Sequence, residues 1–137
     1  MTEVELQLSM PDGMCDAVLF SPEPGTPLPG VLHLPDIASI RDSQRAMARR
    51  LAAEGYAVLL VNVFYRSGRP PVFDFQRVMG EPRTMERMKE LTGPLTPGAQ
   101  MRDGAAYVGL LTEREEVEAG PVGVVGYCFG GGLALRT

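Results

Sequence analysis

Cys128 is flanked by small residues on both sides, in the run Gly126-Tyr127-Cys128-Phe129-Gly130-Gly131-Gly132. Before it, Val122-Gly123-Val124-Val125 reads as a short strand, and after it Leu133-Ala134-Leu135 reads as the start of a helix. This is the small-x-nucleophile-x-small spacing of a nucleophile elbow, with a thiol in the reactive position. The spacing has a physical cause. A residue at the tip of a sharp strand-to-helix turn sits in a strained backbone conformation, often at positive φ. Side chains two positions before and after it would then collide, and Gly126 and Gly130 remove the collision. The turn also aims the thiol and the next backbone N–H at one point beside a helix N-terminus. The partial positive charge there favours both a thiolate and a developing oxyanion, so the residues indicate a reactive cysteine.

Two other readings of the same residues stay open at this point. Cysteine often packs as a small hydrophobe, so Cys128 could be structural. A strand, a glycine-rich turn and a helix also make a phosphate cradle. Against the cradle, residues 126–132 fit neither G-x-G-x-x-G nor the P-loop, and no Lys-Ser/Thr pair follows. No acidic residue follows the turn where a ribose would require one.

Composition narrows the field. The chain has 137 residues, 45% hydrophobic and 22% charged, as expected for one ordinary globular domain. A net charge of −4 argues against nucleic acid or an anionic membrane as the main partner. The N-terminus, Met1-Thr2-Glu3-Val4-Glu5, has no basic and apolar leader pattern, and no apolar run reaches the ~20 residues that span a bilayer. Cys15 and Cys128 form no CxxC and are expected to be reduced in a cytoplasmic setting. With His33 the sole histidine, a metal site is not expected, and no cofactor is indicated.

The elements that must position the thiol follow from patterning. Val4, Leu6 and Leu8 alternate with Glu3, Glu5 and Gln7, a half-buried strand, and Met10-Pro11-Asp12-Gly13 turns it into a returning strand over Met14 to Phe20. A proline-rich connector, 22–30, leads to the apolar run Val31-Leu32-His33-Leu34, a strand covered on both faces. Pro35-Asp36-Ile37-Ala38 is the loop after it. Ser39 and Asp42 resemble a capping box opening a helix to about Glu54 that Gly55 ends, and Tyr56 to Val63 is the next parallel strand. Residues 64–95 form a long excursion, with a helix over Glu81 to Leu91, of the kind that often lines a binding site. Thr96-Pro97 opens another helix, for which Met101, Ala105, Val108 and Leu111 mark the expected apolar face.

An antiparallel hairpin, then alternating parallel strands and helices, then Gly126-Tyr127-Cys128-Phe129-Gly130-Gly131 resembles the first half of an α/β-hydrolase. The family it resembles is the dienelactone hydrolases, with Gly55-Tyr56-Ala57 and Pro35-Asp36-Ile37 as supporting pieces. The resemblance covers residues 1–137, one domain of the α/β class. It implies a three-layer sandwich, read as truncated after the elbow, so a missing C-terminal half or a second chain is expected to complete the sheet. It also implies that Cys128 attacks the carbonyl of a small-molecule ester or lactone, with the N–H groups of Phe129 and Ile37 as the oxyanion hole.

Asp36 stands where the family carries a glutamate near the thiol. It is one methylene shorter, and its alternative role is a loop carboxylate capping the following turn. Arg83 and Arg87 lie in the region of the family's carboxylate-holding arginines. In α/β-hydrolases the acid and the histidine follow the elbow. None follows here, and His33 reads as a core residue, a substitute base being the lesser alternative. The expectation is therefore a carboxylic ester hydrolase that is weak as this chain alone. An inactive fragment serving as a binding or assembly unit, and a nucleotide- or flavin-binding domain, are the competing readings.

Overall fold

The computed structural model describes all 137 residues. Two antiparallel strands open the chain, β1 (Thr2–Met10) and β2 (Gly13–Ser21), paired from Thr2↔Ser21 to Met10↔Gly13. The turn between them is Pro11-Asp12, as the sequence indicates. Three parallel strands follow: β3 (Gly30–Leu34), β4 (Ala57–Val61) and β5 (Gly123–Gly126). The sheet order is β1-β2-β4-β3-β5, with β4 and β5 parallel to β3 on its two sides. β5 is therefore an edge strand.

The helices are α1 (Asp42–Ala53), α2 (Pro82–Thr92), α3 (Pro97–Thr112) and α4 (Phe129–Arg136). Alternate side chains of the central strands leave the sheet in opposite directions, and each set is covered. Val18, Phe20, Val31, Val58 and Leu60 pack with Ala48 and Ala52 of α1. On the other side Leu19, Leu32, Leu34, Leu59 and Val61 pack with Tyr107 and Leu111 of α3 and Leu133 of α4. The result is the expected three-layer α/β arrangement. Burial on both faces explains why β3 and β4 read as continuous apolar runs.

Two local expectations are corrected. Ser39 does not cap α1. The helix starts at Asp42 with Arg41 as its N-cap and no side-chain cap bond. Ser39 instead closes a turn, its N–H donating to Asp36 O at 2.9 Å, and its hydroxyl donates to buried Asn62 Oδ1 at 2.7 Å. A buried carboxamide outcompetes a half-solvated helix end for that hydroxyl. Second, α3 buries Ala99, Asp103, Gly104, Tyr107 and Leu111, while Met101 is 59% exposed. The face is rotated because an acid is buried on it. Asp103 is held by Arg66 through Nη1 at 2.6 Å and Nη2 at 2.9 Å, and by the Tyr65 hydroxyl at 2.9 Å. The start of α3 is as the sequence indicates, with Thr96 accepting from the Ala99 N–H at 3.2 Å and Pro97 following it.

Candidate active site

Cys128 is the N-cap of α4 at φ 55°, ψ −115°, a conformation few non-glycine residues adopt. Both neighbouring glycines are compelled. A Cβ on Gly126 would collide with the Gly130 carbonyl, and a Cβ on Gly130 would collide with the carbonyls of Leu34 and Pro35. The elbow thus lies against the end of β3, where the Tyr127 N–H also donates to Leu34 O at 3.1 Å. Within the turn, the Gly130 N–H reaches Tyr127 O at 2.9 Å and the Gly131 N–H reaches Cys128 O at 3.0 Å.

The residues beside the thiol are gripped on opposite sides of the sheet. Tyr127 packs on His33, with ring centroids 5.0 Å apart, and Phe129 packs on Phe64 at 5.5 Å. The thiol itself is exposed and lies in a shallow depression with Gln100, Phe129, Gly132, Leu133 and Arg136. Its Sγ makes no hydrogen bond. The N–H groups of Phe129, at the start of α4, and of Ile37, on the loop after β3, donate to no protein acceptor. Two unspent donors therefore stand on the two segments that meet at the elbow.

Asp36 is on that loop, but its carboxylate faces Arg41, with Oδ2 2.7 Å from Nη2, and Oδ1 accepts from the Ala38 N–H at 3.0 Å. It makes no hydrogen bond to Cys128. Burial would raise its carboxyl, but the bonds from Arg41 and Ala38 outweigh that, with added pull from the positive charges of Arg41 and Arg77, and hold it below the ordinary carboxylate range. The turn-capping geometry anticipated as its alternative role is the one present.

Arg83 and Arg87, both on α2, share an open groove with Phe75, Glu86 and Glu90 that includes no elbow residue. Arg83 is exposed, its guanidinium 3.9 Å from the Phe75 ring centroid. Arg87 is committed to the Val72 carbonyl at 2.8 Å and to Glu90 at 3.3 Å. Arg77, which the sequence reading passed over, comes close enough to influence Asp36. Nothing in its spacing marks it, since its place depends on the path of the excursion.

His33 is fully buried on β3 with Nε2 2.7 Å from Gln44 Oε1, so Nε2 carries the proton. Its Nδ1 is buried with no partner. Burial lowers the imidazole below its ordinary range, against the Gln44 bond and the Asp36 charge. It is a neutral core residue supporting the elbow through Tyr127. The remaining acids and histidine form no cluster able to hold a metal ion. No helix is long and apolar enough to cross a membrane.

Comparison with known proteins identifies the fold and the family. A Methylorubrum extorquens protein named "Putative carboxymethylenebutenolidase" is 25% identical over 131 residues, covering 93% of this chain and 41% of that protein. The crystal structure of P91, described as a dienelactone hydrolase-like promiscuous phosphotriesterase from metagenomic libraries, superposes with a TM-score of 0.76 at 25% identity. It covers 98% of this chain and 52% of P91. A structure titled m3DLH gives a TM-score of 0.73 at 26% identity, again covering 98% and 52%. The chain spans about half the length of these relatives. Residues 15–137, elbow included, match the family defined by such proteins, and the chain belongs to the dienelactone hydrolase family.

Proposed function

We propose that this chain carries the nucleophile and the oxyanion hole of a hydrolase acting on carboxylic esters or lactones. One observation carries the reading. An exposed thiol at φ 55° sits at the head of α4, whose first N–H, of Phe129, has no acceptor within the protein, and the loop after β3, against whose start the elbow packs, carries a second such N–H, of Ile37. Backbone donors left free beside a strained nucleophile are suited to a negative oxygen that exists only during reaction.

In the acylation step the Cys128 thiolate attacks the carbonyl carbon and a C–S bond forms. The carbonyl π pair moves to oxygen, where the N–H groups of Phe129 and Ile37 receive it. Collapse of that tetrahedral species expels the alkoxide, leaving a thioester on Cys128. In a lactone the alkoxide stays tethered to the acyl group. Water then hydrolyses the thioester. Both steps need a proton carrier, and no base touches Cys128. We assign that base, and the strand that would pair with the free edge of β5, to the other half of a full-length protein or to a second chain.

Asp36, turned toward Arg41, acts through the shape of the turn that carries Ile37. A substrate carboxylate would be met by Arg83 more readily than by Arg87, whose guanidinium is already bonded. A required thiol and a second free cysteine suit a reducing compartment, the cytoplasm.

The test is acylation by p-nitrophenyl acetate, followed by nitrophenolate release and intact mass. The expected result is one acetyl group per chain, on Cys128, and none in Cys128→Ala. Equal nitrophenolate release from both proteins, with no adduct on Cys128, would sink the reading.

A further inference from the structure

Asn62, the residue after β4, is fully buried and carries more hydrogen bonds than a connector residue requires. Its Oδ1 accepts from the Ser39 hydroxyl at 2.7 Å and from the Phe64 N–H at 3.2 Å, while Nδ2 donates to Gly68 O at 2.9 Å. Its main chain is fixed to β2, the Asn62 N–H donating to Asp16 O at 2.9 Å and its carbonyl accepting from Cys15 Sγ at 3.2 Å. The carboxamide makes three of its four possible hydrogen bonds and cannot rotate without losing partners on both loops.

Ser39 is the other half of the pair. It is fully buried at φ 59°, a conformation that disfavours a side chain. It ends the turn that begins at Asp36, and Ile37 lies inside that turn. The Ile37 N–H makes no bond of its own, so its direction is set by how the two ends of the turn are held. At the front, Asp36 is clamped to Arg41 and to the Ala38 N–H. At the back, the single side-chain bond is the one from Ser39 to Asn62.

We infer that Asn62 and Ser39 form a positioning pair that aims the Ile37 N–H at the reacting carbonyl oxygen. The inference rests on the oxyanion-hole reading above. A backbone donor stabilises a transition state only when its direction is set before the charge appears, and a turn on a loop has no such fixity of its own. Asn62 supplies it from the rigid end of β4, and Ser39 accepts a strained backbone to reach it.

The experiment compares two reactions of the same thiol on the 137-residue chain. Acylation by p-nitrophenyl acetate forms a C–S bond through a tetrahedral oxyanion and releases nitrophenolate. Alkylation by iodoacetamide displaces iodide at a saturated carbon and forms no oxyanion. Ser39→Gly tolerates φ 59° and removes the hydroxymethyl side chain, and with it the bond to Asn62. It is expected to slow acylation roughly tenfold or more while alkylation of Cys128 changes by less than about twofold. Asn62→Ala should show the same split.

Cys15, fully buried, reports folding in each sample, because iodoacetamide reaches it only when the core opens. If Asn62→Ala exposes Cys15, the Ser39→Gly arm decides. Unchanged acylation in Ser39→Gly, a parallel fall in both reactions, or loss of its fold would each overturn the inference and leave the pair a structural tie. A wild-type chain that is alkylated but never acylated would instead overturn the oxyanion reading itself, before any variant is made.

Discussion

Cys15 lies near the start of β2, fully buried, its Sγ donating to Asn62 O at 3.2 Å and lying 3.7 Å from the Tyr107 hydroxyl. Cys128 caps α4 at φ 55°, exposed and with no hydrogen bond to its sulfur. Burial pushes the Cys15 thiol up to about 12, against the pull of its Tyr107 and Asn62 bonds. The same side chain is therefore a buried small hydrophobe in one place and, in the function proposed above, the nucleophile in the other. Backbone makes the difference. β2 offers Cys15 a relaxed strand conformation and a packed interior. The elbow gives Cys128 a strained conformation, two glycines that let the chain turn, and at its own helix start the free N–H of Phe129. Reactivity here belongs to the turn rather than to the amino acid.

The largest effect that could break this contrast is selectivity of labelling. Iodoacetamide should modify Cys128 at least ~100-fold faster than Cys15, because Cys15 reacts only through opening of the core, and opening of packed strands approaches the full unfolding free energy. Time-resolved peptide mapping gives both rates from one sample. Comparable rates would mean that the core around β2 opens freely, and the distinction between the two thiols would fail.

A smaller effect sharpens the comparison from beneath the elbow. Tyr127 rests on His33, whose imidazole is buried neutral with an unpartnered Nδ1. Its folded pKa lies below its unfolded value, so the stabilisation is complete above the unfolded value of about 6.5 and is lost as pH falls, because the unfolded chain takes up a proton the folded chain refuses. As pH falls from about 7 through the ordinary imidazole range, the wild-type unfolding free energy should drop more steeply than that of His33→Gln. Urea titrations at several pH values measure it. Subtracting the variant removes the carboxylates, Asp36 included, whose lowered pKa gives losses of the same sign at more acidic pH. Equal pH slopes in the two proteins would show that the imidazole is not held neutral under the elbow.

The two regions also differ in how far the amino-acid sequence reveals them. The elbow is legible because its constraint is local. Gly126 and Gly130 are needed within five consecutive residues, and the backbone collisions they avoid leave a mark in the chain itself. The hairpin, β3, β4 and the start of α3 are legible for the same reason, through alternation, apolar runs and a Thr-Pro start. What stays hidden depends on partners distant in sequence. Ser39 looks like a cap until Asn62, 23 residues on, takes its hydroxyl. Asp103 looks like solvent-side charge until Arg66, 37 residues before it, crosses to neutralise it, and that pairing rotates the buried face of α3. Arg83 and Arg87 sit in the anticipated stretch, but the groove they line is set by the course of the excursion, which no spacing encodes.

The smallest effect concerns the strain that separates the two cysteines. Holding a non-glycine residue at φ 55°, ψ −115° costs on the order of 1–3 kcal/mol. Cys128→Gly should relieve it, since glycine reaches positive φ without a Cβ clash. The gain is reduced by the extra freedom glycine gives the unfolded chain, about 0.4–1 kcal/mol. A modest net stabilisation is therefore expected, read as a higher urea midpoint with an unchanged slope. Acylation should vanish in the same protein. At Cys15 the sign reverses, because a smaller residue leaves a void among Tyr107 and its neighbours and relieves no strain. If Cys128→Gly were instead destabilising, the sulfur would be contributing packing, and Cys128 would stand closer to Cys15 than its exposure implies. A stabilised, unreactive Cys128→Gly would show stability given up at the one position where the backbone is forced to present a nucleophile.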